Sequence, residues 1–206
     1  GDTNNDGSAS SPAKGDWRYV SVSSSGVAVL DYTLWRYGGY NNGTLYVSDN
    51  GRVTLSDCTI SNSAASGIYL YPYTPGTTTR LTLSNSTVEN NGDNGICASG
   101  GYGASSIGVT DSTIRNNGGR GLYVSGSNTL TVTASSLVSN TTDGIYADQA
   151  NGVNLTGNTF TGNGSYATYL SFNNGTYTSL SANTGSGNGR NGIALSGSLG
   201  QDTALP

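Results

Sequence analysis

The stretch SGIYL at residues 66–70 contains a four-residue phrase, Gly–apolar–Tyr–apolar, that the chain repeats as GLYV at 121–124 and GIYA at 144–147. An apolar residue stands twelve positions before the Gly or Ala that opens each copy of the phrase. A looser, earlier copy starts at Val29. These anchors are 23 to 28 residues apart, so the variation in repeat length falls after the tyrosine strand. The six regular anchors are Leu55, Leu83, Val109, Val132, Leu155 and Leu180.

Repeats of this length with strand-like alternation and no helical periodicity predict a β-solenoid of about seven rungs, stacked about 4.8 Å apart. Within the phrase, Ile68 and Leu70 should point into the core while Tyr69 points outward. One buried column should contain Ile68, Ile96, Leu122, Ile145 and Ile193. Asparagines eight positions after successive anchors should hydrogen-bond up and down a second column. These are Asn91, Asn117, Asn140, Asn163 and Asn188.

The composition supports ordered β-structure and excludes some partners. Apolar residues make up only 33% and charged residues 10%, but the 14 tyrosines and many β-branched residues argue against disorder. The net charge is −4, and the eight basic residues form no stripe that would indicate nucleic-acid binding. No apolar run reaches transmembrane length, so we expect no membrane insertion.

The segments LTLSNSTVENNGDNGICAS (81–99) and IGVTDSTIRNNGGRGLYVS (107–125) resemble the repeat of bacterial right-handed parallel β-helix proteins. The opening residues 1–22 are similar to the start of large secreted members. The resemblance implies an all-β, right-handed parallel β-helix in an extracellular or cell-surface protein. It leaves the activity open, because lyases, epimerases and adhesins share the fold. We expect a loop at 1–16, the β-helix at 17–200, and a tail at 201–206 leading to a further module.

Few catalytic arrangements remain open to this sequence. Without histidine there is no Ser–His–Asp triad and no histidine metal site. Counted from their anchors, Asp31 and Asp57 should be neighbours about 5 Å apart, the carboxylate spacing of a retaining glycosidase. They could equally cap backbone groups at a corner, as Asn85 would in the same column. The resemblance implies that a lyase would use a Lys or Arg base near calcium, but the only lysine, Lys14, lies in the N-terminal loop. We therefore expect no enzyme activity.

The segment GDTNNDG at residues 1–7 is typical of a calcium loop, in which alternate oxygen ligands precede a glycine. Asp2, Asn4 and Asp6 would be the ligands, and Asp16 could close the site. The alternative is an Asx- and Gly-rich turn built from the same residue types. Calcium is the only cofactor that the sequence indicates.

Five tyrosines occupy one predicted outward column, interrupted by Cys97: Tyr46, Tyr69, Tyr123, Tyr146 and Tyr169. They could be a structural stack, or a platform for sugar rings or a partner, with Tyr71 and Tyr73 as a wall. Cys58 and Cys97 fall in different columns, too far apart for a disulfide, so two unpaired buried thiols are expected.

Two functions remain. The first is a structural or adhesive segment of an extracellular surface protein or filament, joined end to end to itself or to adjoining modules, since solenoid edges otherwise stay unpaired. The second is a carbohydrate-active β-helix, either a polysaccharide-binding module or a lyase or glycosidase.

Overall fold

A computed structural model describes residue 7 and residues 9–200 as a coil of parallel β-strands. The described part contains 21 strands and no helix, and therefore no helix that could cross a membrane. Each full turn of the coil contributes one strand to each of three faces, A, B and C. Face C has seven strands, which confirms the prediction of a parallel β-solenoid with about seven rungs.

The tyrosine phrase of the repeat lies on the strands of face A. Its strands are β1 (Val20–Val22), β4 (Gly43–Ser48), β7 (Ser66–Tyr71), β10 (Ile96–Ala98), β13 (Leu122–Ser125), β16 (Ile145–Asp148), the first part of β19 (Tyr166–Ser179) and β21 (Arg190–Leu199). The long strand β19 continues from face A into face B, so the two faces form one 14-stranded sheet.

Faces B and C complete each rung. Face B contains β2 (Val27–Asp31), β5 (Arg52–Ser56), β8 (Thr78–Ser84), β11 (Ala104–Thr110), β14 (Thr129–Thr133), β17 (Gly152–Thr156) and the end of β19. Face C contains β3 (Leu34–Arg36), β6 (Thr59–Ser61), β9 (Thr87–Glu89), β12 (Thr113–Arg115), β15 (Ser136–Val138), β18 (Thr159–Thr161) and β20 (Thr184–Ser186).

The register places residues of similar type above one another in successive rungs. In face A, Ile68 pairs with Ile96, which pairs with Leu122 and then Ile145. The predicted buried column is confirmed from Ile68 to Ile145, whereas Ile193 on the last rung is only half-buried. Thr168, which is fully buried, lies between Ile145 and Ile193. The three inner faces together bury one continuous hydrophobic core along the axis.

Each rung turns at two single residues with left-handed backbone. The first turn lies between faces B and C, and in every rung but the last it follows the last residue of the face-B strand by one place. Asn, Asp and Gly adopt this conformation more readily than other residues, which is why they recur here. The residues of the first turn are Tyr32, Asp57, Asn85, Asp111, Ala134, Gly157 and Ala182. Those of the second, after face C, are Tyr37, Asn62, Asn90, Asn116, Ser139, Gly162 and Gly187.

The predicted asparagine ladder is confirmed. The side-chain amide of Asn117 donates to Asn140 Oδ1 at 2.9 Å, and that of Asn140 donates to Asn163 Oδ1 at 2.9 Å. Each amide also donates to a carbonyl of the preceding rung, such as Ile114 for Asn140. The ladder therefore satisfies buried polar groups that would otherwise destabilise the fold. Beyond Asn188 it ends at Asn191, whose Oδ1 accepts the Asn188 amide at 3.0 Å.

A second polar ladder, which the sequence analysis did not predict, lies at the start of face C. The backbone N–H of Ser112 donates to Ser135 Oγ at 3.1 Å, and that of Ser135 donates to Asn158 Oδ1 at 3.0 Å. Cys58 occupies the first position of this column, and its thiol lies 3.2 Å from the Ser56 carbonyl. The column consists of Cys58, Ser86, Ser112, Ser135, Asn158 and Asn183.

The first rung is offset by one residue from the predicted alignment. Leu30, not Val29, pairs with Leu55, and Asp31 pairs with Ser56. Val29 points outward and its side chain is 72% exposed. Because side chains alternate along a strand, this shift of one residue exchanges the inner and outer faces of the whole strand.

The segment before the first strand lies along the side of the coil rather than extending away from it. The Lys14 ammonium donates to the Asn90 carbonyl at 2.6 Å, two rungs above the first. The Trp17 indole N–H donates to the Arg36 carbonyl at 2.8 Å. A side chain at Gly38 would collide with the Trp17 ring, which explains a glycine at this position.

Candidate binding surface

The tyrosines predicted to share a column lie in one row on the outer side of face A. Tyr46 pairs with Tyr69, and Tyr123 pairs with Tyr146, which pairs with Tyr169. Cys97 occupies the position between Tyr69 and Tyr123. All five rings are half-buried rather than freely exposed, because neighbouring rings cover one another. We call these five residues the tyrosine row.

Cys97 divides the aromatic surface into two groups. In the lower group, Tyr46 and Tyr69 stack with centroids 5.9 Å apart, and Tyr71 stacks on Tyr69 at 6.0 Å. In the upper group, Tyr146 and Tyr169 stack at 4.9 Å. Such offset contacts between rings stabilise the face and hold its shape.

A cation that the sequence analysis missed lies over the upper group. The Arg120 guanidinium carbon is 4.4 Å from the centroid of Tyr146 and 5.0 Å from that of Tyr123. Its Nε donates to Asp143 Oδ2 at 3.0 Å, and the other oxygen of this buried carboxylate accepts the Tyr166 N–H. The guanidinium is therefore fixed by a buried anion and by two rings. In the sequence, the available signal for Arg120 was its place directly before Gly121, which opens a copy of the tyrosine phrase.

Burial raises the pKa of three phenols of the tyrosine row above its ordinary value. Loss of solvent, together with a smaller effect of the neighbouring Tyr69, raises the pKa of Tyr46 to about 12. Burial also raises the pKa of Tyr69 and that of Tyr146. Each phenol can therefore donate and accept hydrogen bonds, as the Tyr69 hydroxyl does in accepting from Ser99 Oγ at 2.8 Å.

The two cysteines are unpaired and buried, as predicted. Burial raises the pKa of the Cys97 thiol to about 12. A thiol protonated at neutral pH is a poor nucleophile, so Cys97 acts as a small apolar spacer in the tyrosine row.

The family assignment agrees with this architecture. The family described as "Right handed beta helix region" matches residues 41–202. The chain belongs to the right-handed β-helix family. No curated protein and no solved structure matches it.

The predicted carboxylate pair of this β-helix is wrong. Asp31 lies beside Ser56, whose hydroxyl donates to Asp31 Oδ1 at 3.1 Å. Tyr32, not Asp31, occupies the left-handed turn position that Asp57 has in the next rung. The one-residue offset of the first rung removes Asp31 from the column, so the spacing argument for a glycosidase no longer applies. Asp57, Asn85 and Asp111 have a left-handed backbone at the corner between faces B and C.

The predicted calcium ligands Asp2, Asn4 and Asp6 lie outside the described residues of the β-helix. The fourth, Asp16, is described, and its Oδ2 accepts the Ala13 N–H at 2.8 Å. Within the described part, no group of three or more His, Cys, Asp or Glu side chains could hold a metal ion. Calcium binding by the N-terminal loop stays a prediction.

Proposed function

We propose that this β-helix is a structural or adhesive segment of an extracellular surface protein or filament, and that it is not an enzyme. The observation that supports this most is the tyrosine row. It gives one face of the rod a fixed aromatic surface that repeats along the axis, with Arg120 held against it by the buried Asp143. A surface repeated on several rungs suits many weak contacts with a partner or matrix, which together give strong attachment.

The two outermost rungs support end-to-end continuation with adjoining modules or further copies. On β2, Val27 is 67% and Val29 72% exposed, whereas the outward residues of the next rung are Arg52 and Thr54. At the other end, Leu195 on β21 is 38% exposed. Among the described residues, β2 and β21 each have one unpaired edge that can accept a parallel strand.

Sedimentation and electron microscopy of the purified chain test this proposal. We expect concentration-dependent, end-to-end association that Val29→Lys abolishes, because a charge on an edge strand opposes strand addition. Thr131→Lys is the matched control, since Thr131 is an exposed outward residue of a central face-B strand. A monomer at all concentrations would overturn self-assembly and leave only adjoining modules as partners. Equal association of both variants would show that β2 is not the interface.

A second candidate function is polysaccharide binding by the tyrosine row. Stacked, half-buried phenols beside a fixed guanidinium present flat faces and hydrogen-bonding edges, which is the chemistry that sugar rings require. Titration with soluble polysaccharides should show binding that Tyr146→Ala weakens and Tyr146→Phe largely keeps. Incubation with acidic polysaccharides tests catalysis: release of unsaturated or reducing ends would contradict the proposal that the chain is not an enzyme.

We further propose calcium as a ligand of the N-terminal loop, held by Asp2, Asn4 and Asp6 with Asp16 as a possible fourth ligand. Isothermal titration should show uptake of one ion, reduced by Asp6→Ala. No uptake at millimolar calcium would leave the loop as a turn-rich segment alone.

A further inference from the structure

A cleft of about 390 Å³ lies at the corner where the chain passes from face A to face B. Loops from three successive rungs form its walls. They contribute Pro72 and residues 76–78, residues 99–104, and residues 125–128. The cleft is separate from the tyrosine row, and none of the five row residues lines it.

Backbone hydrogen bonds between the loops hold the cleft open. The Gly103 N–H donates to the Pro72 carbonyl at 3.0 Å, and the Ala104 N–H donates to the Thr77 carbonyl at 3.0 Å. Asn128 is buried, and its amide donates to the Ser125 carbonyl at 2.6 Å. Gly101 has a φ of +139°, and a side chain there would collide with the Pro72 carbonyl. The bonds from Gly103 and Ala104 therefore fix two of the loops against each other, and position 101 requires glycine.

The chemistry of the walls is polar but uncharged. Among the residues that the structure describes, no Asp, Glu, Lys or Arg lines the cleft. The available groups are Ser and Thr hydroxyls, peptide N–H and C=O groups, the apolar ring of Pro72, and Tyr102, whose side chain is 81% exposed. Burying an anion here would lack any compensating cation, which disfavours charged ligands. A ligand rich in hydroxyl groups, with one apolar face for the Tyr102 ring, matches these walls.

We infer that this cleft binds one or two neutral sugar units, with Tyr102 as the ring against which the sugar packs. Its volume lies within the range of small-molecule sites, roughly 300–1,000 Å³. Ser99 connects the cleft to the surface already described, since its hydroxyl donates to the Tyr69 phenol at 2.8 Å. The inference rests on the second candidate function for its class of ligand, but it assigns a different place and excludes acidic sugars.

Isothermal titration with two tetrasaccharides, neutral maltotetraose and anionic tetragalacturonate, tests the inference. We expect maltotetraose to bind at least ~10-fold more tightly than tetragalacturonate, a difference worth about 1.4 kcal/mol. Tyr102→Ala should weaken maltotetraose binding by about the same factor. Ser127→Trp, which places a large side chain at an exposed lining position, should abolish it.

Tyr146→Ala is the matched control, because it removes a ring of the row and leaves the cleft intact. If Tyr146→Ala abolishes binding and Tyr102→Ala does not, the sugar site is the row and the cleft inference fails. Tighter binding of tetragalacturonate would also overturn it. So would the absence of binding by maltotetraose, cellotetraose and mannotetraose at millimolar concentration. End-to-end association measured by sedimentation does not depend on sugar binding. The structural proposal is therefore tested separately from the cleft inference.

Discussion

At the scale of single residues, the asparagine ladder explains how buried amides are tolerated in a narrow core. Asn140 Oδ1 accepts both the N–H and the side-chain amide of Asn117. The Asn140 amide in turn donates to the Ile114 carbonyl and to Asn163 Oδ1. Every polar atom of the side chain therefore has a partner, and its neighbours depend on it.

Removing one member of the ladder should destabilise the protein strongly. We expect Asn140→Ala to lower the free energy of unfolding by ~3 kcal/mol, because at least two buried groups lose a partner at about 1–3 kcal/mol each. Asn151→Ala, the same change at an exposed position, is the control and should change it by less than ~0.5 kcal/mol. Chemical denaturation monitored by circular dichroism measures both. Equal effects of the two variants would contradict a stabilising ladder.

The raised pKa of Tyr46 predicts a loss of stability in alkali. The folded protein holds this proton more tightly than the unfolded chain, since burial moves the pKa from 10.0 to about 12. The resulting stabilisation is fully present below pH 10 and is lost as the pH rises through 12. Thermal unfolding measured across this interval should show the decline. Tyr46→Phe should make it shallower, and an unchanged slope in that variant would exclude Tyr46 as a source.

At the scale of elements, the face-A column contains one polar residue without a partner. The Thr168 hydroxyl is buried, and among the described residues it has neither a hydrogen-bond donor nor an acceptor as a partner. Its neighbours in the column are Ile145 and Ile193. A hydroxyl in such surroundings costs free energy that a methyl group of similar shape would not.

Thr168→Val should therefore stabilise the protein, by about 1 kcal/mol. Ile145→Asp, in the same column, should prevent folding, because an unpaired charge would lie in the core. The two variants should change stability in opposite directions although they lie in the same column, and thermal unfolding measures both changes. A destabilised Thr168→Val would show that the hydroxyl has a partner, such as a buried water.

The elements also show what the sequence could and could not predict. The repeats from Leu55 onward were predictable, because their twelve-residue block has constant length and contains polar outward positions. The first rung was misaligned because Val27, Ala28, Val29 and Leu30 are all apolar and give no alternation. The Ser/Asn ladder was missed since its members differ in residue type. The cleft could not be predicted, because it depends on how three loops of unequal length fold together, and the repeat pattern contains no information about that.

At the scale of the whole molecule, the β-helix is a rod in which each rung contacts mainly the rungs above and below. Stability in such a rod is a sum of rung and interface terms rather than one cooperative quantity. The outer rungs lack one neighbour within the described part. On β2 even the residues that point toward the core, Ala28 and Leu30, are only half-buried. On β20 all three residues are exposed.

Hydrogen exchange should therefore be graded along the rod. We expect the amides of β12 and β15 to exchange most slowly, and those of β2 and β20 to exchange fastest, because opening an end rung exposes only one interface. Mass spectrometry of peptides from each rung measures the gradient. Asn140→Ala should then reduce protection first in the rung that contains Asn117, whose N–H and side-chain amide both lose their acceptor, while β2 keeps its rate. Equal protection of all rungs would instead show that the rod unfolds as a single unit. Slow exchange confined to β2 would show that its edge is covered by another strand, the arrangement that end-to-end assembly requires.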